Sequence, residues 1–132
     1  MKVFSPSNLA GLFFAASILF LIEYFGFWTG ILTHPFWSSM VNWFGMGIGF
    51  VVALILLLIS GGRSKTLGIF SLVLILFALG AYFTTVHFKE VFAASYAENV
   101  LAGKMWYFGF MAFVASLFAL LALIPAYLFA DE

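Results

Sequence analysis

The chain has 132 residues, of which 66% are hydrophobic and 8% charged, whereas a soluble globular domain has about 45–50% apolar and 25% charged residues. The five basic and five acidic side chains leave no net charge, which excludes a basic surface for nucleic acid. Ten charged side chains are also too few for the surface of a water-soluble fold of this size. The absence of cysteine excludes disulfides and thiol chemistry. We therefore expect an integral membrane protein whose solvent is membrane lipid.

Four segments are long and apolar enough to cross a hydrocarbon core about 30 Å thick. They cover residues 9–32, 40–59, 66–86 and 105–129, and short connectors fill the rest of the chain. This pattern predicts an all-α membrane protein with a single domain over residues 1–132. The four helices are expected to form an up-down-up-down bundle.

The segment between the third and fourth spans has an amphipathic pattern of its own. Apolar residues recur at steps of three and four, with charged residues off the stripe. The stripe consists of Phe88, Val91, Phe92, Tyr96 and Val100. We expect a short interfacial helix here, resting its apolar side on the lipid headgroups.

The connector between the second and third spans carries Arg63 and Lys65, whereas the connector before it has no basic residue. With Lys2, these residues outnumber Lys89 and Lys104 on the opposite side. Because cytoplasmic loops are enriched in Lys and Arg, we expect a cytoplasmic-type membrane with both termini on the cytoplasmic side.

Tryptophan side chains prefer the membrane–water interface, and in a four-span arrangement all four fall at one rim. Trp28 and Trp37 lie at the end of span one and in the first connector, and Trp43 and Trp106 lie at the starts of spans two and four. Their agreement supports the count of four spans.

Small residues follow helical spacing in three spans, where they allow helix backbones to approach closely. They are Gly26 and Gly30 in span one, Gly45, Gly49 and Ala53 in span two, and Ala112, Ala115, Ala119, Ala122 and Ala126 in span four. We expect close antiparallel packing along them. Asn42 lies on the same ridge of span two and is expected to form an interhelical hydrogen bond.

Glu23 is the one ionisable residue well inside a predicted span. A charged side chain in the bilayer core costs roughly 2.5–3.5 kcal/mol on insertion scales, so such residues normally face a bundle interior or water. We expect Glu23 to point inward, near the middle of the first span. It is either an intramembrane proton or cation site or a partner in an interhelical hydrogen bond.

His34 and His87 end spans one and three and lie on the same side of the predicted bundle. Imidazoles from two helices can ligate haem b, or a divalent metal when a carboxylate joins them. Glu90 is one helical turn beyond His87. These three residues are a candidate site for haem or metal. The alternative is that the interfacial histidines cap helix ends or contact headgroups.

The sequence contains no nucleophile–base pair, metalloprotease motif or phosphate-binding glycine loop, so we do not expect an enzyme. Our leading hypothesis is a small accessory or structural subunit of a larger membrane complex, which contributes helix-packing surface and contacts with lipid or a lipophilic cofactor. The alternatives are a proton- or cation-coupled transporter acting as a homo-oligomer through Glu23, and a haem or metal module using His34 and His87.

Overall fold

A computed structural model describes residues 5–27 and 38–130, with the backbone alone described at 38 and 39. The helices are α1 (Pro6–Phe25), α2 (Ser38–Ser60), α3 (Ser64–Ala94) and α4 (Val100–Leu128). All four are long and apolar enough to cross a membrane, and the described residues contain no strand. The predicted all-α, four-helix membrane fold is confirmed.

Helix α1 ends well before the predicted boundary at residue 32. Its first turn is capped by Ser5, whose side chain accepts a hydrogen bond from the Asn8 amide at 3.4 Å. At the other end Gly26 adopts a left-handed conformation (φ 68°). The Phe27 amide then donates to the Ile22 carbonyl at 3.1 Å. This glycine-dependent C-cap explains why the helix stops at Phe25.

The turn between α2 and α3 also depends on glycine. Gly61 and Gly62 both have positive φ, at 58° and 79°, a conformation that side chains disfavour. The Arg63 guanidinium donates back to the Ile59 carbonyl at 3.2 Å, where a cation is favoured by the helix dipole. The two helices are thereby reversed within a very short connector.

Residues 88–94 do not form a separate interfacial helix, which corrects the prediction. They continue α3, which has 31 residues and is therefore about 46 Å long, well beyond the roughly 30 Å of a bilayer core. No glycine or proline interrupts the chain between Ala81 and Ala94. The extension is also packed, because the ring of Phe92 lies 5.7 Å from that of Trp106 on α4.

Helices α2 and α4 run in the same direction. A Cβ atom built on Gly45 would lie 2.8 Å from Val114, and one built on Gly49 would lie 2.7 Å from Phe118. Residue numbers therefore rise together along the contact. The small residues of α2 therefore pack on α4 in parallel, which corrects the antiparallel prediction for this pair. Helices two positions apart in an alternating bundle run in the same direction.

Helices α3 and α4 are antiparallel neighbours. Phe92 lies against Gly103, and Thr85 lies against Gly109 further along. Residue numbers therefore fall on α3 as they rise on α4. Together with the five-residue turn between them, this makes α3 and α4 a long helical hairpin.

Helix α1 is antiparallel to both α2 and α4. Phe20, near its end, contacts Trp43 near the start of α2, with 6.1 Å between ring centroids. Gly11, near its start, lies against Ala122 in the second half of α4. The four helices therefore alternate in direction along the chain, as the sequence predicted.

Helix α4 occupies the centre of the fold. It contacts α1, α2 and α3, whereas α1 and α3 do not contact each other within the described residues and α2 meets α3 only weakly. In its apolar window 44% of the residues are buried, compared with 17% in α3. The arrangement is therefore three helices around a fourth, with space left between α2 and α3.

Trp43 and Trp106 both lie in the second turn of their helices, α2 and α4. Because these helices are parallel, the two indoles are at the same end of the molecule, here called the tryptophan end. Trp28 and Trp37, which the sequence predicts at the same rim, lie outside the described residues.

Candidate functional site

Glu23 lies in the last turn of α1 rather than near the middle of a membrane span. Since Phe20 is level with Trp43, Glu23 is level with the first turn of α2. That position is about 12 Å from the middle of α2, at 1.5 Å per residue. The structure therefore places this carboxylate close to the tryptophan end, with its side chain half-buried.

The fully buried residues of α1 do not include Glu23, which the sequence predicts to point inward. The buried residues are Asn8, Gly11, Leu12, Ala15 and Leu19. Ile22 continues the same face of α1 against the hydrophobic core, so Glu23 lies beside the contact surface. Gly26 serves as the helix C-cap instead of a packing position, and Gly30 lies outside the described residues.

His87 and Glu90 lie on the C-terminal extension of α3, and both side chains are exposed. The His87 ring packs edge-on against Phe88, with centroids 5.0 Å apart. The described residues contain no cluster of three metal-binding side chains. His34 lies outside them, so haem or metal binding by these three candidate ligands stays a prediction.

The small residues of α2 and α4 lie at helix contacts, where the sequence placed them. Gly45, Gly49 and Ala53 are buried on α2. On α4, four of the five alanines are buried, and Ala112 is half-buried at the edge of the contact; the buried ones are Ala115, Ala119, Ala122 and Ala126. Their role is to let α1 and α2 approach the backbone of α4 closely.

Gly11 is a close-packing residue that the sequence interpretation missed. A Cβ atom there would overlap the carbonyl oxygen of Ala122 and would lie 3.5 Å from the Pro125 ring. The available signal was the spacing of Gly11 and Ala15, four residues apart in the first span. Both are buried, and they set the distance between α1 and the rest of the fold.

Hydroxyl groups buried in the interior bond to their own helices. Thr85 Oγ1 donates to the Ala81 carbonyl at 2.7 Å, and Ser116 Oγ donates to the Ala112 carbonyl. Such bonds satisfy the hydroxyl groups without linking one helix to another. The protons of these two hydroxyl groups are therefore already engaged within α3 and α4.

Asn42 is fully buried, and among the described residues it does not form the expected interhelical hydrogen bond. Its Nδ2 donates to Met46 Sδ at 3.6 Å within α2, and its Oδ1 has no partner within the part of the chain that the structure describes. No ionisable side chain is among the fully buried residues of that part.

Two apolar depressions flank α3. The first, here called the α3–α4 cleft, has a volume of about 450 Å³ and is lined by small residues that include Gly80, Thr84, Gly109 and Ala112. A Cβ atom built on Gly80 would meet nothing within 4 Å. This side of α3 thus presents bare backbone to the surroundings.

The second depression, here called the α2–α3 groove, has a volume of about 360 Å³ and is almost entirely apolar. Ile48 and Val52 form one wall, Val73 and Phe77 form the other, and Ala115 lies on the floor. The groove exists because α2 and α3 both pack on α4 while scarcely touching each other.

Comparisons of the chain with protein-family models, with curated proteins and with solved structures gave no match. The structure has two apolar depressions beside α3. In the described part of the chain, no charged side chain is buried.

Proposed function

We propose that this protein is a small structural subunit of a larger integral-membrane complex, with no catalytic activity of its own. It contributes helix-packing surface and contacts with lipid or a lipophilic cofactor. The observation that carries the proposal is the α3–α4 cleft, where Gly80, Gly109 and Ala112 leave backbone accessible on the outside of the bundle.

Lipid tails are as apolar as leucine, so membrane helices gain little from hydrophobicity alone when they associate. They associate where small residues let backbones approach and allow many dispersion contacts. Gly45 and Gly49 serve such contacts inside this chain. Gly80 has the same character but faces outward, which fits a helix of another subunit.

The interior supports a structural role over transport. Glu23 is half-buried in the last turn of α1, and the hydroxyl groups of Thr85 and Ser116 are already bonded to their own helices. A proton path would need a succession of polar groups across the bundle. Transport through Glu23 stays a prediction, as does haem or metal binding by His34 and His87.

Purification in mild detergent tests the proposal. We expect other membrane chains to accompany the wild-type protein in fixed stoichiometry. Gly80→Leu should release them, because the added side chain would occupy the cleft, and its Cβ atom would meet nothing within 4 Å in this chain. Ala10→Leu is the matched control, since it also enlarges a small exposed residue but lies on α1.

A homogeneous species without partner chains would contradict the proposal. So would an assembly that Gly80→Leu and Ala10→Leu leave equally intact, because the α3–α4 cleft would then have no part in it. Circular dichroism and thermal unfolding of both variants establish that the fold is retained.

We further infer that the end of the molecule with Arg63 and Lys65 faces the cytoplasm. Among the described residues these are the only charged side chains at that end, and both are basic. The opposite end carries residues of both signs, namely Glu23, Lys89, Glu90, Glu98 and Lys104. The positive-inside rule then also places both chain termini on the cytoplasmic side.

A further inference from the structure

We infer that the α2–α3 groove holds one acyl chain of an anionic phospholipid, whose headgroup is bound by Arg63 and Lys65. This site is formed by residues of this chain alone. It therefore stands whether or not the protein has partner subunits.

The size and walls of the groove favour an acyl chain over a helix. Close approach of another helix needs small residues at the contact, whereas the groove, with a volume of about 360 Å³, has Ile48, Val52 and Phe77 in its walls. A methylene takes up about the same liquid volume as a water molecule, roughly 30 Å³. The groove thus accommodates on the order of a dozen methylenes between its branched walls.

The groove points toward the turn that joins its two walls. Val52 precedes the end of α2 by about two helical turns, and Val73 follows Lys65 by a similar distance, so the turn lies about 12 Å away along the helix axes. One leaflet of the hydrocarbon core is about 15 Å deep. A lipid with its headgroup at the turn would therefore place the middle and end of its acyl chain in the groove.

The charge at this turn selects an anionic headgroup. Arg63 is held in place by bonds from Nη2 to the Ile59 carbonyl at 3.2 Å and from Nε to Thr66 Oγ1 at 3.5 Å. These use two of its five donors. Lys65 is exposed beside it, and every acidic residue in the described part of the chain lies at the tryptophan end.

The test measures lipid retention by native mass spectrometry of the full chain in detergent, after addition of phosphatidylglycerol or phosphatidylcholine with identical acyl chains. We expect phosphatidylglycerol to be retained preferentially. Lys65→Gln should reduce that preference about fivefold, given the attraction of a basic residue to an anionic lipid surface. Lys104→Gln, at the opposite end, should leave it unchanged.

A second pair of variants tests the groove. Val73→Trp should fill it and lower retention of both lipids, because Val73 is half-exposed and lines the groove. Leu72→Trp is the matched control, since Leu72 is equally exposed but lies outside the lining. Thermal unfolding verifies that each variant retains its fold.

Three results would overturn the inference. Equal retention of the two lipids by the wild-type chain would remove the headgroup site. Unchanged retention in Val73→Trp would remove the acyl-chain site. A dimer in the same spectra that Val73→Trp dissociates would show that a second copy of the chain occupies the groove instead.

Discussion

Two residues in the turn between α3 and α4 adopt a backbone conformation that is unusual for their type. Tyr96 has φ 54° and Ala97 has φ 66°, in the left-handed region that costs a side-chain-bearing residue roughly 1–2 kcal/mol. The Ala97 amide donates to the Phe92 carbonyl at 3.1 Å, which fixes the end of α3. The sharp reversal of the hairpin is obtained at the expense of local strain.

Replacing Ala97 by glycine should raise the free energy of unfolding by about 0.5–1 kcal/mol, because glycine adopts this φ without steric cost. Ala97 is exposed, so no packing is lost. Denaturant titration in detergent micelles, followed by circular dichroism, measures the change. Ala93→Gly, in the exposed last turn of α3, should lower stability instead; destabilisation by Ala97→Gly would contradict the strain.

The glycines show that one residue type at one spacing can have two different structural roles. Gly45 and Gly49 allow two helices to touch, whereas Gly26 ends a helix in a left-handed conformation. All three follow the same spacing pattern. Only the contacts in the folded structure distinguish a packing position from a helix cap. The packing role predicted for Gly26 from its spacing was therefore wrong.

At the level of elements, the contact between α2 and α4 makes a sharp prediction from two glycines on the same helix. A Cβ atom on Gly49 would lie 2.7 Å from the Ala115 carbonyl oxygen, whereas one on Gly47 would meet nothing within 4 Å. Gly49→Ala should therefore destabilise the fold by about 1–3 kcal/mol through overpacking. Gly47→Ala should be neutral or stabilising by up to about 1 kcal/mol.

Steric trapping or denaturant unfolding in micelles measures both variants under identical conditions. Equal stability of the two would show that α2 and α4 are not in close contact at Gly49. The comparison is internally controlled, because both substitutions add one methyl group to the same apolar helix.

The four helices were predictable because the hydropathy of about 20 residues sums into one strong signal. Which helices pack against each other was not predictable, since apolar residues occupy every face of each helix. The extension of α3 was missed because Lys89 and Glu90 mark the membrane boundary without ending a helix. Its packing against α4, through Phe92 and Trp106, is a tertiary contact that no local pattern contains.

At the scale of the whole molecule, the two ends differ in charge, and this predicts how the protein sits in the membrane. The chain has no cysteine, so a single introduced thiol reports unambiguously on its side. In intact cells a membrane-impermeant maleimide should label Glu98→Cys readily, because Glu98 is exposed in the turn at the tryptophan end. It should label Ser64→Cys, beside Arg63, only after permeabilisation.

The reverse labelling pattern would place the basic turn outside and contradict the proposed orientation. Labelling of both positions in intact cells would point to a mixed population. The cysteine-free wild-type chain serves as the background control.

The central position of α4 has a consequence for biogenesis. Helices α1, α2 and α3 come first in the chain, yet they meet one another weakly or, for α1 and α3, not at all within the described residues. After insertion into the bilayer and before α4 is synthesised, these three helices are therefore expected to be only loosely associated. Compaction must await the arrival of α4, so this protein matures late, and a nascent chain halted before α4 remains an unassembled target for quality control.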